Sequence, residues 1–376
     1  MTTATLDMAV PATPARSLQR PGHWLISPFY DLTFITFSAV VILFPHLTYA
    51  VIGKNIYVDL IVTALIGGPH LFATYTMTFM EPRFRNRYPR YTLGAFVLPP
   101  LIVTCAILNL TLLVTIFFFW ASIHVIHQVM YVSDAYRMKD PRGWTWGSRL
   151  IDYGLLATAL YPLGAERLVS GTFVTGGRAL LFPSFLKTPW AAVPVWILFT
   201  FFLCAFVVRT IRDARGGRLH VGRATLVGLT SLMFFVTPLG ANLDVAFQGL
   251  NTWHSFQYLA LVLYLNRFRS EQGFIGSPFV EQVSKRGWSL YAMCLGFTLL
   301  AGAAYFAVLI TVVNMGAFAT GTPFKMLFLG SVQSGQHFFA FYSVMLSCLL
   351  VHYYFDHFIF LQRDQIITPT YGRLTA

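Results

Sequence analysis

Residues 93–133 read LGAFVLPPLIVTCAILNLTLLVTIFFFWASIHVIHQVMYVS, 41 positions without one Asp, Glu, Lys or Arg. About 20 apolar residues suffice to cross roughly 30 Å of hydrocarbon, so this stretch holds two membrane spans. Asn109, a weak helix former near its centre, marks the expected turn between them. The rest of the chain matches: 56% hydrophobic, 16% aromatic, 11% charged, mean hydropathy +0.63. That composition excludes an ordinary soluble domain.

Working outward, further spans are expected near 29–53, 56–80, 150–165, 190–211, 224–243, 245–265, 288–315 and 331–361. The fold class is therefore all-α, a polytopic membrane bundle of about ten transmembrane helices. Polar tails at 1–28 and 362–376 flank one domain at 29–361. Residues 1–23 lack an apolar core followed by a cleavage site, so the first span is expected to do the targeting.

Charge fixes the orientation. The net charge is +12, and the basic residues fall in short loops between spans. With the N-terminus inside, 21 of the 26 basic residues lie on the inner side. Only Lys54, Arg167, Arg178, Lys187 and Lys325 lie outside. Cytoplasmic loops carry such an excess, which places both termini in the cytoplasm of a bacterial-type inner membrane. Scattered in this way, the positive charge signals topology and not a nucleic-acid partner. Membrane lipids and a lipid-soluble small molecule are the partners expected. The four cysteines stand singly, without CxxC spacing, which argues against disulfides and thiolate metal sites.

Ionisable side chains inside a bilayer are costly and mark function by default. His70, His124, His127 and His352 all lie in the inner halves of apolar segments, and His254 lies nearer the midplane. His70 and His124 are about 14 and 13 residues into spans running inward, roughly 20 Å below the outer surface. His124 and His127, three apart, share a helix face, with Asp134 seven residues beyond His127. His352 and Asp356 share a face, as do His254 and Tyr258. Asp134, Asp356 and Tyr258 would then orient the histidines or ligate themselves. His357, about 140° from His352, falls outside the set. Gly67-Gly68-Pro69 before His70 should bend that helix. His23 and His220 read as solvated, and Asp31 and Asp152 as helix caps.

Imidazole and carboxylate without thiolate suit iron, zinc or copper. A site in greasy surroundings favours a lipid-soluble substrate, hence non-haem iron (Fe2+) acting on a hydrocarbon or alkene with dioxygen. Membrane hydroxylases and desaturases carry HxxxH and HxxHH boxes. This chain has one HxxH and no adjacent histidine pair.

The chain resembles the Brp/Blh group of membrane β-carotene 15,15′-dioxygenases in short segments. Gly67-Gly68-Pro69-His70 matches the family's Gly-x-Pro-His segment. His127 with Asp134 approximates its His-Phe-x-x-x-Asp segment at longer spacing. His254 stands for a third segment, with Tyr258 where the family has a second histidine. His352 and Asp356-His357-Phe358-Ile359 match the last segment, with a different His-to-Asp gap and Val351 in place of proline. The resemblance implies an iron-dependent dioxygenase cleaving or oxidising an isoprenoid. Two other classes stay open: a bis-histidine haem protein passing electrons from a donor such as quinol, and a proton-coupled transporter using the histidines as a relay.

Overall fold

A computed structural model describes residues 22–140, 145–175, 178–240, 242–320 and 336–360. The polar tails at 1–21 and 361–376, Lys325 and the start of the last expected span at 331–335 lie outside the described residues. Regular structure is helical apart from a two-residue antiparallel ladder, Val174–Thr175 with Arg178–Ala179. In chain order the helices are α1 (Pro28–Ile52), α2 (Asn55–Met77), α3 (Pro82–Arg87) and α4 (Pro89–Lys139). Then come α5 (Trp146–Thr158), α6 (Tyr161–Val169), α7 (Pro189–Arg215), α8 (Val221–Leu239) and α9 (Leu243–Glu271). The last are α10 (Pro278–Ser284), α11 (Gly287–Thr320) and α12 (Gln336–Phe360). Among the described residues, seven helices are long and apolar enough to cross a membrane: α1, α2, α4, α7, α8, α11 and α12.

α4 is two helices. Asn109 leaves helical geometry (φ −161°, ψ 89°), and its side chain accepts the Leu112 N–H at 3.0 Å, capping a new helix. Tyr91 stacks on Tyr354 at 4.1 Å, and His124 stacks on the neighbouring Tyr353 at 4.0 Å. In a straight helix, residues 91 and 124 would stand about 50 Å apart. The chain must therefore fold back at Asn109, and both limbs pack on α12.

The single helix expected at 150–165 is instead two, α5 and α6, neither of membrane length. Pro162 supplies the cause. Its ring would clash with the carbonyl of Thr158, four residues earlier, and α5 stops at Thr158.

α9 is long enough to span but too polar to count among the seven, because it does not face lipid. Eighteen of its 29 residues are buried, including Thr252, His254, Ser255, Gln257 and Asn266. α7 is the opposite case, burying only Ala192, Phe199, Phe206 and Arg209 along 27 residues. So α9 is a central post and α7 a lipid-facing edge. At Gly249 a Cβ would lie 2.8 Å from the Ile42 carbonyl oxygen, which is how closely α1 crosses the post.

α2 is bent where its sequence says it must be. A π-turn at Thr63–Gly67 precedes Gly68, Pro69 and His70. Pro69 has no N–H for the carbonyl of Leu65, and the Tyr291 hydroxyl of α11 donates to that carbonyl at 2.8 Å instead. A Cβ at Gly68 would lie 2.2 Å from Thr298 Cγ2, so glycine is what lets α11 lie against the bend. Farther along, Glu81 and Arg269, both fully buried, pair at 3.0 Å and tie the end of α2 to α9.

Candidate metal centre

Four helices each place one histidine at a common point: His70 from α2, His124 from α4, His254 from α9 and His352 from α12. Their ligand atoms all lie within 4.8 Å of one another, and all four residues are buried. A carboxylate joins them. Asp356 Oδ2 stands 3.3 Å from His352 Nε2 and 3.7 Å from His124 Nε2.

Two of the rings, His70 and His352, are held from behind, whereas His254 Nδ1 is buried and meets no protein group among the described residues. His70 Nδ1 meets the Gly67 carbonyl at 2.8 Å, and a carbonyl can only accept, so Nδ1 carries the proton and Nε2 keeps its lone pair. Ser255 Oγ braces the same nitrogen at 3.0 Å. The Thr74 hydroxyl donates to Asp356 Oδ1 at 3.0 Å, which leaves Thr74 Oγ1 to accept from His352 Nδ1 at 2.6 Å. The Tyr258 hydroxyl donates to the same Asp356 oxygen at 2.6 Å. Gln128 Nε2 donates to the His254 carbonyl at 3.2 Å and to Gln257 Oε1 at 2.8 Å, fixing α4 against α9.

The inward atoms are left bare. His70 Nε2, His352 Nε2 and Asp356 Oδ2 are buried and no protein group satisfies them. Each such atom costs about 1–3 kcal/mol when left so. A shared cation removes those penalties together. His124 Nε2 and His254 Nε2 are 3.2 Å apart. Two imidazole nitrogens on one ion at about 2.0–2.1 Å stand roughly 3.0–3.4 Å from each other, so the spacing fits. Nitrogen and carboxylate donors without thiolate suit iron, zinc or copper.

Two residues read as candidates from the sequence lie elsewhere. The His127 ring is half-buried, 5.8 Å from the His357 ring and 5.6 Å from Phe360. The 60° between it and His124 turns it past the point where the other four meet. Asp134 is ten residues beyond His124, about 15 Å along the helix. Its carboxylate is taken by Arg149 at 2.8 Å and the Tyr153 hydroxyl at 2.5 Å, with Arg137 at 3.5 Å. Tyr258 does stand at the group, beside Asp356.

Thr74 and Gln128 escaped the sequence reading, yet both were findable. Every histidine of the group has a polar residue four positions on: Thr74, Gln128, Tyr258 and Asp356. Two other expectations are corrected. His220 is buried, with Nε2 2.9 Å from the Gly22 carbonyl, because it caps α8. Asp152 does not cap a helix. It is the fully buried centre of an arginine cluster formed by Arg137, Arg209 and Arg223.

Compared with protein-family models, curated proteins and solved structures, the chain matches none.

Proposed function

We propose that this chain is a ten-helix inner-membrane metalloenzyme with both termini in the cytoplasm. In this reading His70, His124, His254 and His352 hold a non-haem ferrous iron, with Asp356 as a fifth donor. The convergence of four buried histidines within 4.8 Å carries the reading. Ten spans follow if both limbs of α4 cross, α9 crosses as the central post, and α5 with α6 crosses as one broken span.

Bound iron supplies dioxygen activation at such a site. The chain's own groups do the rest. Gly67 and Ser255 hold His70 in the tautomer that presents Nε2. Thr74 does the same for His352, while Thr74 and Tyr258 together hold Asp356. Burial keeps bulk water from the centre and leaves the surrounding membrane as the source of substrate, a lipid-soluble molecule of isoprenoid class. Cleavage of an alkene by dioxygen places one oxygen atom in each of two carbonyl products and needs no outside reductant. Hydroxylation would need a two-electron donor, so the absence of such a requirement favours cleavage in the simplest scheme.

A haem between two histidines fits less well. The His70 and His352 ring centroids are 4.3 Å apart, and His124 and His254 fill the flanks where a macrocycle would lie. A metal-free relay is the other reading, favoured by the His124–His254 contact. Elemental analysis of the purified protein, after anaerobic incubation with ferrous iron and gel filtration, decides between them. About one iron per chain without a Soret band is expected; trace metal only would overturn the proposal.

A further inference from the structure

A second built feature lies where α5, α7 and α8 meet. Asp152 binds the guanidinium groups of Arg137 and Arg209, and Arg223 Nε stands 3.6 Å from it. Beside this cluster opens a cavity of about 720 Å³. Its wall on α7 is one face, with Phe201, Cys204 and Ala205, then Val208 and Arg209, then Arg212 and Asp213, at helical spacing. Phe201 and Val208 are 63% and 65% exposed on a helix that faces lipid. At Arg209 and Arg212 the groove turns cationic, roughly 12–16 Å along the same face from its apolar end.

That shape, an apolar stem ending in a charged head, is the shape of an amphiphile. Ser148 Oγ stands 3.2 Å from Arg209 Nη1 and 3.3 Å from Arg223 Nη1, so two guanidinium groups and a hydroxyl converge at the head end. The N-terminal turn of α5, at Gly147 and Ser148, adds its partial positive charge. Asp140 and Asp213 also line the cavity, so among the described residues its three arginines exceed its carboxylates by one. Adding Arg137 and Asp152 leaves that balance unchanged. One surplus charge matches one phosphodiester, and the two carboxylates oppose a dianionic phosphomonoester.

We propose that this cavity binds an acidic glycerophospholipid with a monoanionic phosphodiester head, such as phosphatidylglycerol. The head sits among Arg209, Arg212 and Arg223, and an acyl chain runs along Phe201, Cys204 and Val208. Basic pockets between transmembrane helices on the cytoplasmic side recognise anionic head groups in this way. The site is independent of the metal reading.

Native mass spectrometry of the full chain, released from mixed micelles of phosphatidylglycerol and phosphatidylcholine, tests it. Wild type should retain one phosphatidylglycerol at least about fivefold over phosphatidylcholine. Arg212→Gln, an exposed change outside the Asp152 cluster, should bring that ratio to near one with the thermal unfolding midpoint unchanged. Arg209→Gln should do the same, with some loss of stability. Equal retention of the two lipids by wild type, or undiminished preference in Arg212→Gln and Arg209→Gln alike, would overturn the proposal. Displacement of the lipid by millimolar inorganic phosphate would also overturn it, by showing an ion site with no role for the apolar stripe.

Discussion

Asp356 Oδ2 lies 3.3 Å from His352 Nε2, while the opposite nitrogen of that ring meets Thr74 Oγ1 at 2.6 Å. A carboxylate four residues after a histidine can stand behind the ring or beside its ligating face. Here it stands beside the face, and Thr74 stands behind. The two roles separate cleanly in a mutant series.

Asp356→Asn removes the charge from the converging side. Its metal affinity, measured by chelator competition in detergent, should fall more than that of Thr74→Ala. The latter loses only the brace on His352 and Asp356, a change typically costing about 10–100-fold. His352→Ala should retain no metal. A large loss in Thr74→Ala with none in Asp356→Asn would move Asp356 away from the ion.

Spacing on α4 puts both His124 and His127 forward as ligands. In the fold, His124 enters the four-histidine group and His127 faces His357. His124→Ala should therefore abolish metal binding, and His127→Ala should leave stoichiometry near wild type. Metal analysis of the two proteins at equal expression checks this. Loss in both would bring His127 back to the centre.

The spans were largely legible because burial in lipid demands long apolar runs, and the turn at Asn109 showed in one residue. α9 shows how far such reading goes: its polar residues lower its hydropathy, and only packing on α1, α2 and α4 explains them. The histidines could be picked out because a bilayer makes each one costly, although depth did not separate His127 from the four that meet. Helical period could not choose between His124 and His127, because 60° of azimuth matters only once the neighbouring helices are in place. Asp134 failed for a related reason. It matches His127 in azimuth but lies two turns nearer the cytoplasm, and the arginines that take it up come from α4 and α5. Thr74 stands four residues after His70, a spacing visible in the chain, but only its contact with α12 shows what it braces.

The proposed ten-span topology rests on charge. Reporter fusions after Arg90, Arg149, Arg223 and Arg286 should all give cytoplasmic signals. The fusion after Arg223 is the most informative, since α5 and α6, which precede it, are each too short to cross alone. A periplasmic signal there would put an odd number of crossings before it and break the depth argument for the histidines.

The last prediction concerns His220, at the membrane-proximal start of α8. Its Nε2 reaches the Gly22 carbonyl at 2.9 Å, and its Nδ1 accepts the Arg223 N–H at 3.3 Å. Only the neutral ring can do both. Burial is the main cause that lowers its pKa to about 4, opposed by the Gly22 carbonyl and Asp140 and aided by Arg223 and His23. A group depressed on folding binds its proton more readily unfolded, so the stability it lends is whole above about pH 6.5. That stability is lost as pH falls toward 4. The thermal unfolding midpoint of wild type should therefore drop across this window. His220→Asn keeps an acceptor for the cap and cannot titrate, so its midpoint should start slightly lower and fall less steeply. Parallel profiles for the two proteins would show that another group governs the acid response.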